Sequence, residues 1–291
     1  MKRRQFLQSA SSAVAVMPTA LSERILNDAK PILNVILAVD LSELKRKADR
    51  TKDLVEMGDF LTRIGKLADM DVRIVRLVDN DFTPEKLIKT IQGLGSMGGT
   101  KNSLIVYFSG HGNNDGESLW PSFRMGNESK KMKEIAKLIV NARPKVGLLI
   151  GDCCNNVLTS AGGFTSTMPV PNPAIVKKLL WDFGTKNQRL SIQVSSASKA
   201  EFSFSQSFGS VYKHCFMKAF NEKIESNAEN NSRKESGVVW EEIFVRARVI
   251  TQGYLKSISS ANTNANEAAD VFKQTPYHAV TLVSCPEGTD C

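Results

Sequence analysis

The stretch "LIVYFSGHGNND", Leu104 to Asp115, decides how this chain is read. Leu104 to Phe108 is a short apolar and aromatic run of the kind that forms a buried strand. It leads into Ser109-Gly110-His111-Gly112, which sets one of only three histidines at the mouth of that strand, between two glycines. A second run, "KVGLLIGD" from Lys145, leads into Cys153 and Cys154 in the same way.

Outward from these two runs, strand-like and helix-period segments alternate. Pro31 to Asp40 ("PILNVILAVD") reads as a buried strand, and Leu54, Met57, Leu61, Ile64 and Leu67 then recur at helical spacing. "DVRIVRLVD" from Asp71 is a further strand. The helix after it starts at Thr83-Pro84-Glu85, with Thr83 as cap and Pro84 at the first helical position. Another helix is expected around Met132, Ile135, Leu138 and Ile139, and one more opens at Asn172-Pro173 and closes at Gly184. "RLSIQVSS" from Arg189, helices over Tyr212 to Ile224 and Val238 to Ile250, and a strand over Tyr277 to Val283 complete the pattern. Six continuous apolar strands separated by helices predict an α/β three-layer sandwich around a mainly parallel, about six-stranded sheet. The polar stretch Asn221 to Ser236 lacks apolar periodicity and is expected to be a mobile insert.

Composition bounds the partners. The chain has 291 residues, 42% of them hydrophobic, enough for a proper core. The net charge of +8 is scattered, and aromatics are not interleaved with basic residues, so no nucleic-acid groove is expected. The start "MKRRQFLQSASSAVAVMPTALS" resembles a twin-arginine export signal, and no later run is long enough to span a bilayer. This divides the chain into an export signal and linker over 1–28, one domain over 29–284, and a tail over 285–291. If the chain is exported, Cys285 and Cys291 in that tail can pair. No cysteines have C-x-x-C spacing, which argues against zinc.

In open parallel sheets chemistry gathers at the carboxyl ends of the strands, and here two strands end in reactive residues, His111 and Cys154. The flanking glycines allow a sharp turn and close approach, and their amides can donate to a developing negative charge. Adjacent strands, about 5 Å apart, bring a thiol within reach of an imidazole. His214, inside an apolar helix pattern, and His278, after Pro276-Tyr277, read as structural.

"YFSGHG" followed by "LLIGDCC" resembles the caspase-like cysteine peptidases, and among them most the metacaspases, with a Ser-Gly-His-Gly histidine and an Asp-x-Cys nucleophile. Cys154 follows His111 by 43 residues, near the separation of about 50 in caspases, although Q-A-C is absent. "DLVEMGDFL" from Asp53, "DGESLWPSF" from Asp115 and "SSASKAEFSFS" from Ser195 are similar to the family's first helix, post-histidine segment and substrate-flanking strand and loop. The resemblance spans roughly Ile32 to Val283 and implies a caspase-like fold and an endopeptidase. In it Cys154 is the nucleophile, His111 the proton donor, and the amides of Gly112 and Cys154 the oxyanion donors.

The resemblance also implies a primary pocket made by Asp53, Ser109 and Asp152, whose two carboxylates would favour protein or peptide substrates with Arg or Lys before the scissile bond. Asp53 also fits a solvated residue in "KRKADRTKD", and Asp40 is a candidate third acid. Asn155-Asn156-Val157 departs from the family's His-Ser-Gly after the cysteine. The dyad requires no cofactor. Calcium activation, frequent in the family, stays open because the segment after His111 offers only Asp115 and Glu117, and no metal ligands can be assigned. Self-processing at Lys186 or Arg189, in a loop-like stretch, is a further implication. The alternative is a non-catalytic caspase-like binding or regulatory protein. A peptidase selective for acidic residues is disfavoured by Asp152.

Overall fold

The computed structural model describes residues 30–96, 101–154, 171–182, 188–226, 234–261 and 274–284. Residues 1–28, the tail 285–291 with Cys285 and Cys291, Asn155 to Val157 and Lys186 lie outside them. The elements are β1 (Ile32–Val39), α1 (Lys47–Leu67), β2 (Asp71–Leu77), α2 (Pro84–Ser96), β3 (Ser103–Asn113), β4 (Ser122–Met125), β5 (Glu128–Lys131), α3 (Met132–Asn141) and β6 (Val146–Cys153). They continue with α4 (Pro173–Leu180), β7 (Gln188–Ser195), β8 (Ser205–Gln206), β9 (Gly209–Ser210), α5 (Val211–Ser226), α6 (Ser236–Ala261) and β10 (Tyr277–Ser284).

The protein is a mixed α/β fold with a central, mostly parallel sheet flanked by helices. Among the described residues the sheet runs β10-β7-β6-β3-β1-β2, and along this path all neighbours are parallel except the edge strand β10. The expectation of six strands holds for this path. The hairpin β4–β5, which pairs with the far end of β3, was not expected; its residues "SFRMGNESKK" carry too little apolar alternation to announce a strand.

The strands are continuous apolar runs because both sheet faces are covered. Side chains alternate between faces along a strand. Leu33, Val35, Leu37, Ile105, Tyr107, Leu148 and Ile150 enter one core with α1, α4, α5 and α6. Ile36, Ala38, Leu104, Val106, Phe108 and Leu149 enter the other with α2 and α3. In the second core Phe108 stacks on Phe123 of β4 at 4.1 Å between centroids, which ties the hairpin to the sheet.

Local signals set the helix ends. Thr83 Oγ1 accepts from the Lys86 amide at 3.2 Å, and Asn172 Oδ1 accepts from Ala174 at 3.0 Å, so both expected caps form. Three expectations are corrected. The helix opened by Asn172 ends at Leu180, before Gly184, because Trp181 leaves helical geometry. The stretch read as a mobile insert begins inside α5, where Asn221 and Ile224 are fully buried; residues 227–233 are not described. Arg189 lies within β7, paired opposite Val283, rather than in a loop. Among the described residues no helix is long and apolar enough to cross a membrane.

Candidate active site

Register brings the predicted residues together at the carboxyl end of the sheet. β3 lies between β1 and β6, with Val39, Ser109 and Asp152 side by side and Gly110 opposite Cys153. Beyond that point β3 leaves the parallel ladder and pairs His111 with Arg124 of β4, so the histidine stands just past the sheet. The period of two sorts the side chains. Ser109 and His111 follow Tyr107, and Asp152 and Cys154 follow Ile150, on the face that carries α1. Cys153 falls on the opposite face, in the core with Phe108 and Phe123.

The two cysteines therefore differ physically. Cys153 is buried, and burial pushes its thiol well above the ordinary range, with Cys154 and Asp152 adding to the shift. Cys154 is only partly covered, and its thiol points at the Ser203 carbonyl, 3.6 Å away. Gly112 is where the two strand ends meet. A Cβ there would lie 2.3 Å from the Cys154 carbonyl oxygen and 2.5 Å from Cys153 Sγ, so only glycine fits. The strand carrying His111 thus packs directly on the backbone carrying Cys154.

His111 sits in a charged cluster. Its Nε2 is 3.2 Å from Arg50 Nη2 and 3.1 Å from Glu43 Oε2. Burial lowers its pKa, the neighbouring Arg50 charge lowers it further, and Glu43 and Asp40 pull the other way without reversing the shift. A pKa below the ordinary 6.5 favours the neutral imidazole near pH 7. Arg50 is itself buried and held by Asp40, donating to its backbone carbonyl at 3.0 Å and pairing with its carboxylate at 2.9 Å.

Asp53, Ser109 and Asp152 also converge. Ser109 Oγ donates to Asp53 Oδ2 at 2.9 Å, and Asp53 is 1% exposed, which overturns its reading as a solvated residue of a charged run. Asp152 accepts from Tyr107 at 2.9 Å and from Ser203 at 3.1 Å. Burial raises the Asp53 pKa to about 6; Lys213 opposes the rise and Asp152 adds to it. Burial raises Asp152 too, with the hydroxyls of Ser210, Tyr107, Ser203 and Ser196 opposing.

The partners that sequence reasoning missed are Arg50, Glu43, Lys213 and Ser203. Lys213 had a legible signal, a lysine among the apolar residues of "VYKHCF" at the start of α5. Arg50 had none, since "KRKADRTKD" reads as surface charge. Away from the site, His278 is paired with Glu241 at 2.7 Å and His214 is buried, as their structural reading required. Asp115 is engaged by Lys131 at 2.7 Å. Among the described residues no group of three or more His, Cys, Asp or Glu could hold a metal ion.

The class so defined is an α/β sandwich whose neighbouring central strands end in a histidine and a thiol beside two buried carboxylates. No protein-family model matches the sequence, and no curated protein matches it. Among solved structures the chain is similar to the crystal structure of caspase-1 from Spodoptera frugiperda, with a TM-score of 0.48 and 12% identity over 87% of this chain and 90% of that one. A likeness at that level concerns the course of the backbone, and the chemistry rests on this chain's own residues.

Proposed function

We propose that the chain is a cysteine-type endopeptidase of metacaspase-like character that cleaves peptide bonds after Arg or Lys. The observation that carries this reading is the contact at Gly112, which packs the strand of His111 onto the backbone of a partly covered Cys154 while its neighbour Cys153 is buried. A neutral His111 can take the Cys154 proton as sulfur attacks the carbonyl carbon. The tetrahedral oxyanion would be held by the amides of Gly112 and Cys154. As the C–N bond breaks, His111 returns the proton to the departing amine and leaves a thioester, which water hydrolyses. Asp53, Ser109 and Asp152 supply the acidic seat for the substrate cation. The export-type amino terminus supports a site of action outside the cytoplasm.

The test is the initial rate on paired fluorogenic peptides ending in Arg or in Asp, with wild type and Cys154→Ala, with and without calcium. Cleavage of the Arg peptide that the substitution abolishes is expected, and the calcium arm decides whether the ion is required. Cleavage that survives in Cys154→Ala, or a preference for Asp, would overturn the reading. Silence on both peptides would favour the second reading, a non-catalytic binding protein, for which one observation speaks: both acids of the seat already have partners within the chain.

A further inference from the structure

The seat for a substrate cation is closed in this structure, and what closes it belongs to the chain. Lys213, in the first turn of α5, is completely buried, with Nζ 3.1 Å from Asp53 Oδ1. Its ammonium also pairs with Glu56 at 2.6 Å and donates to the Phe208 carbonyl at 3.2 Å. Ammonium against carboxylate at this distance is the contact a lysine side chain of a substrate would make.

The short β8–β9 hairpin seals the arrangement. Gly209 has φ +96, and a Cβ there would fall 2.2 Å from Asp53 Oδ1 and 2.9 Å from Lys213 Nζ, so the backbone lies directly on the ion pair. The Ser210 amide donates to Asp53 Oδ1 at 2.7 Å. Three further contacts fasten the hairpin to α1 and its N-cap: Arg46, the cap, to Ser205 Oγ at 3.1 Å, Lys52 to the Ser207 carbonyl, and Glu56 through Lys213, which donates to the Phe208 carbonyl. The anchors differ in depth. Asp53 is 1% exposed and the Glu56 side chain 42%, so Lys213 spans from the dry floor of the seat to its wet rim.

We propose that Lys213 is the resident cation of the acidic seat, and that an incoming Arg or Lys side chain binds only by displacing it and lifting the β8–β9 hairpin. The inference rests on the peptidase reading for the identity of the seat. Lys213 is not a cleavage point in it, because its peptide groups belong to α5. It is an internal competitor that sets how strongly a cation must bind to enter. Glu56, at the rim, holds the competitor in place and is where a substrate would begin to loosen it.

The experiment measures binding of agmatine, a guanidinium probe without a peptide bond, by calorimetry on the full chain carrying Cys154→Ala. Adding Lys213→Met, which keeps most of the side-chain volume and removes the charge, is expected to tighten agmatine binding by at least about tenfold, since Asp53 then lacks its cation. Adding Glu56→Gln instead is expected to move affinity in the same direction by a smaller factor, about two- to fivefold. The half-exposed Glu56 position keeps the test decisive if Lys213→Met does not fold. Equal affinity in the parent and in every folded variant would overturn the proposal. Because Cys154 is absent, this result is independent of catalysis. Tighter agmatine binding with no Cys154-dependent cleavage in the corresponding active-site-intact proteins would keep the resident cation and remove the peptidase. Cleavage by wild type with no change in agmatine affinity would do the reverse.

Discussion

Two acid sites flank Ser109, one on each side of β3, and burial has opposite outcomes in them. On the β1 side Asp40 meets Arg50 at 2.9 Å and accepts from the Ser42 hydroxyl and amide. Burial alone would raise its pKa, but these hydrogen bonds and the Arg50 charge outweigh it, and the carboxyl sits below its ordinary value. In the other site, Asp152 at the end of β6 adds negative charge beside Asp53 of α1, Lys213 pairs with Asp53, and both carboxyls are raised. Donors alone do not separate the sites, since four hydroxyls oppose the rise at Asp152; Asp53 and Asp152 are the more deeply buried, and there burial outweighs every donor and cation. The half-open side next to His111 holds fixed charges, whereas the dry side holds acids that keep their protons to higher pH than an ordinary carboxyl does.

The largest expected effect comes from breaking the first site. Arg50→Met leaves Asp40 buried without its cation and should cost about 3–5 kcal/mol of stability in urea unfolding. Adding Asp40→Asn should recover part of that loss, since the stranded charge goes with it. A loss below about 1 kcal/mol for Arg50→Met would mean that Asp40 is hydrated in solution and that the contrast between the sites is smaller than drawn.

The second site is sharpened by pH. Asp53 has a folded pKa of about 6 against an ordinary 3.8, so the folded protein binds its proton more tightly than the unfolded chain. Its contribution to stability is full below about pH 4 and is lost as pH rises through about 6. Asp53→Asn should remove that loss. The difference in unfolding free energy between wild type and the variant should therefore drift in favour of the variant between about pH 4 and pH 6. A difference that stays level across this window would show that the Lys213 pair holds Asp53 ionised throughout.

A smaller and more local effect separates the two cysteines. Among Cys153, Cys154 and Cys215, iodoacetamide at neutral pH should label Cys154 in the native protein, read by peptide mass. Burial raises Cys153 well above the usual range and Cys215 to about 11. Equal labelling of Cys153 would place both thiols on one side of β6 and break the alternation that assigns Cys154 to the face of α1.

Much of this was legible in the sequence because it follows from period and punctuation. The five parallel strands and their antiparallel edge were readable as apolar runs, and the caps Thr83 and Asn172 as helix starts. His111, Ser109 and Asp152 were legible for the same reason: they end such runs and so must reach the carboxyl edge of the sheet. The choice between Cys153 and Cys154 came from the resemblance, and the side-chain alternation now supplies a physical reason for it. What stayed hidden was long-range charge pairing. Nothing local links Arg50 to His111 across 61 residues, or Asp53 to Lys213, and a buried arginine looks like any other residue in a basic run. The Asn221 stretch misled because buried polar residues at the end of α5 resemble a solvated segment.

The smallest effect tests the open side without disturbing the fold. Glu43 is 37% exposed in its side chain, so its pairs with Arg50 and His111 are screened, and Glu43→Gln should change stability by less than about 1 kcal/mol. The same carboxylate nevertheless raises the His111 pKa, through its charge and through its hydrogen bond at 3.1 Å. Removing it should push the imidazole still further below its ordinary value, as read from the ring protons of His111 in an NMR titration. A rise would mean that Glu43 acts mainly by neutralising Arg50, leaving the guanidinium rather than the carboxylate as the group that His111 senses. An unchanged midpoint would mean that Glu43 leaves the cluster in solution, and that the open side of the site is set by Asp40 and Arg50 alone.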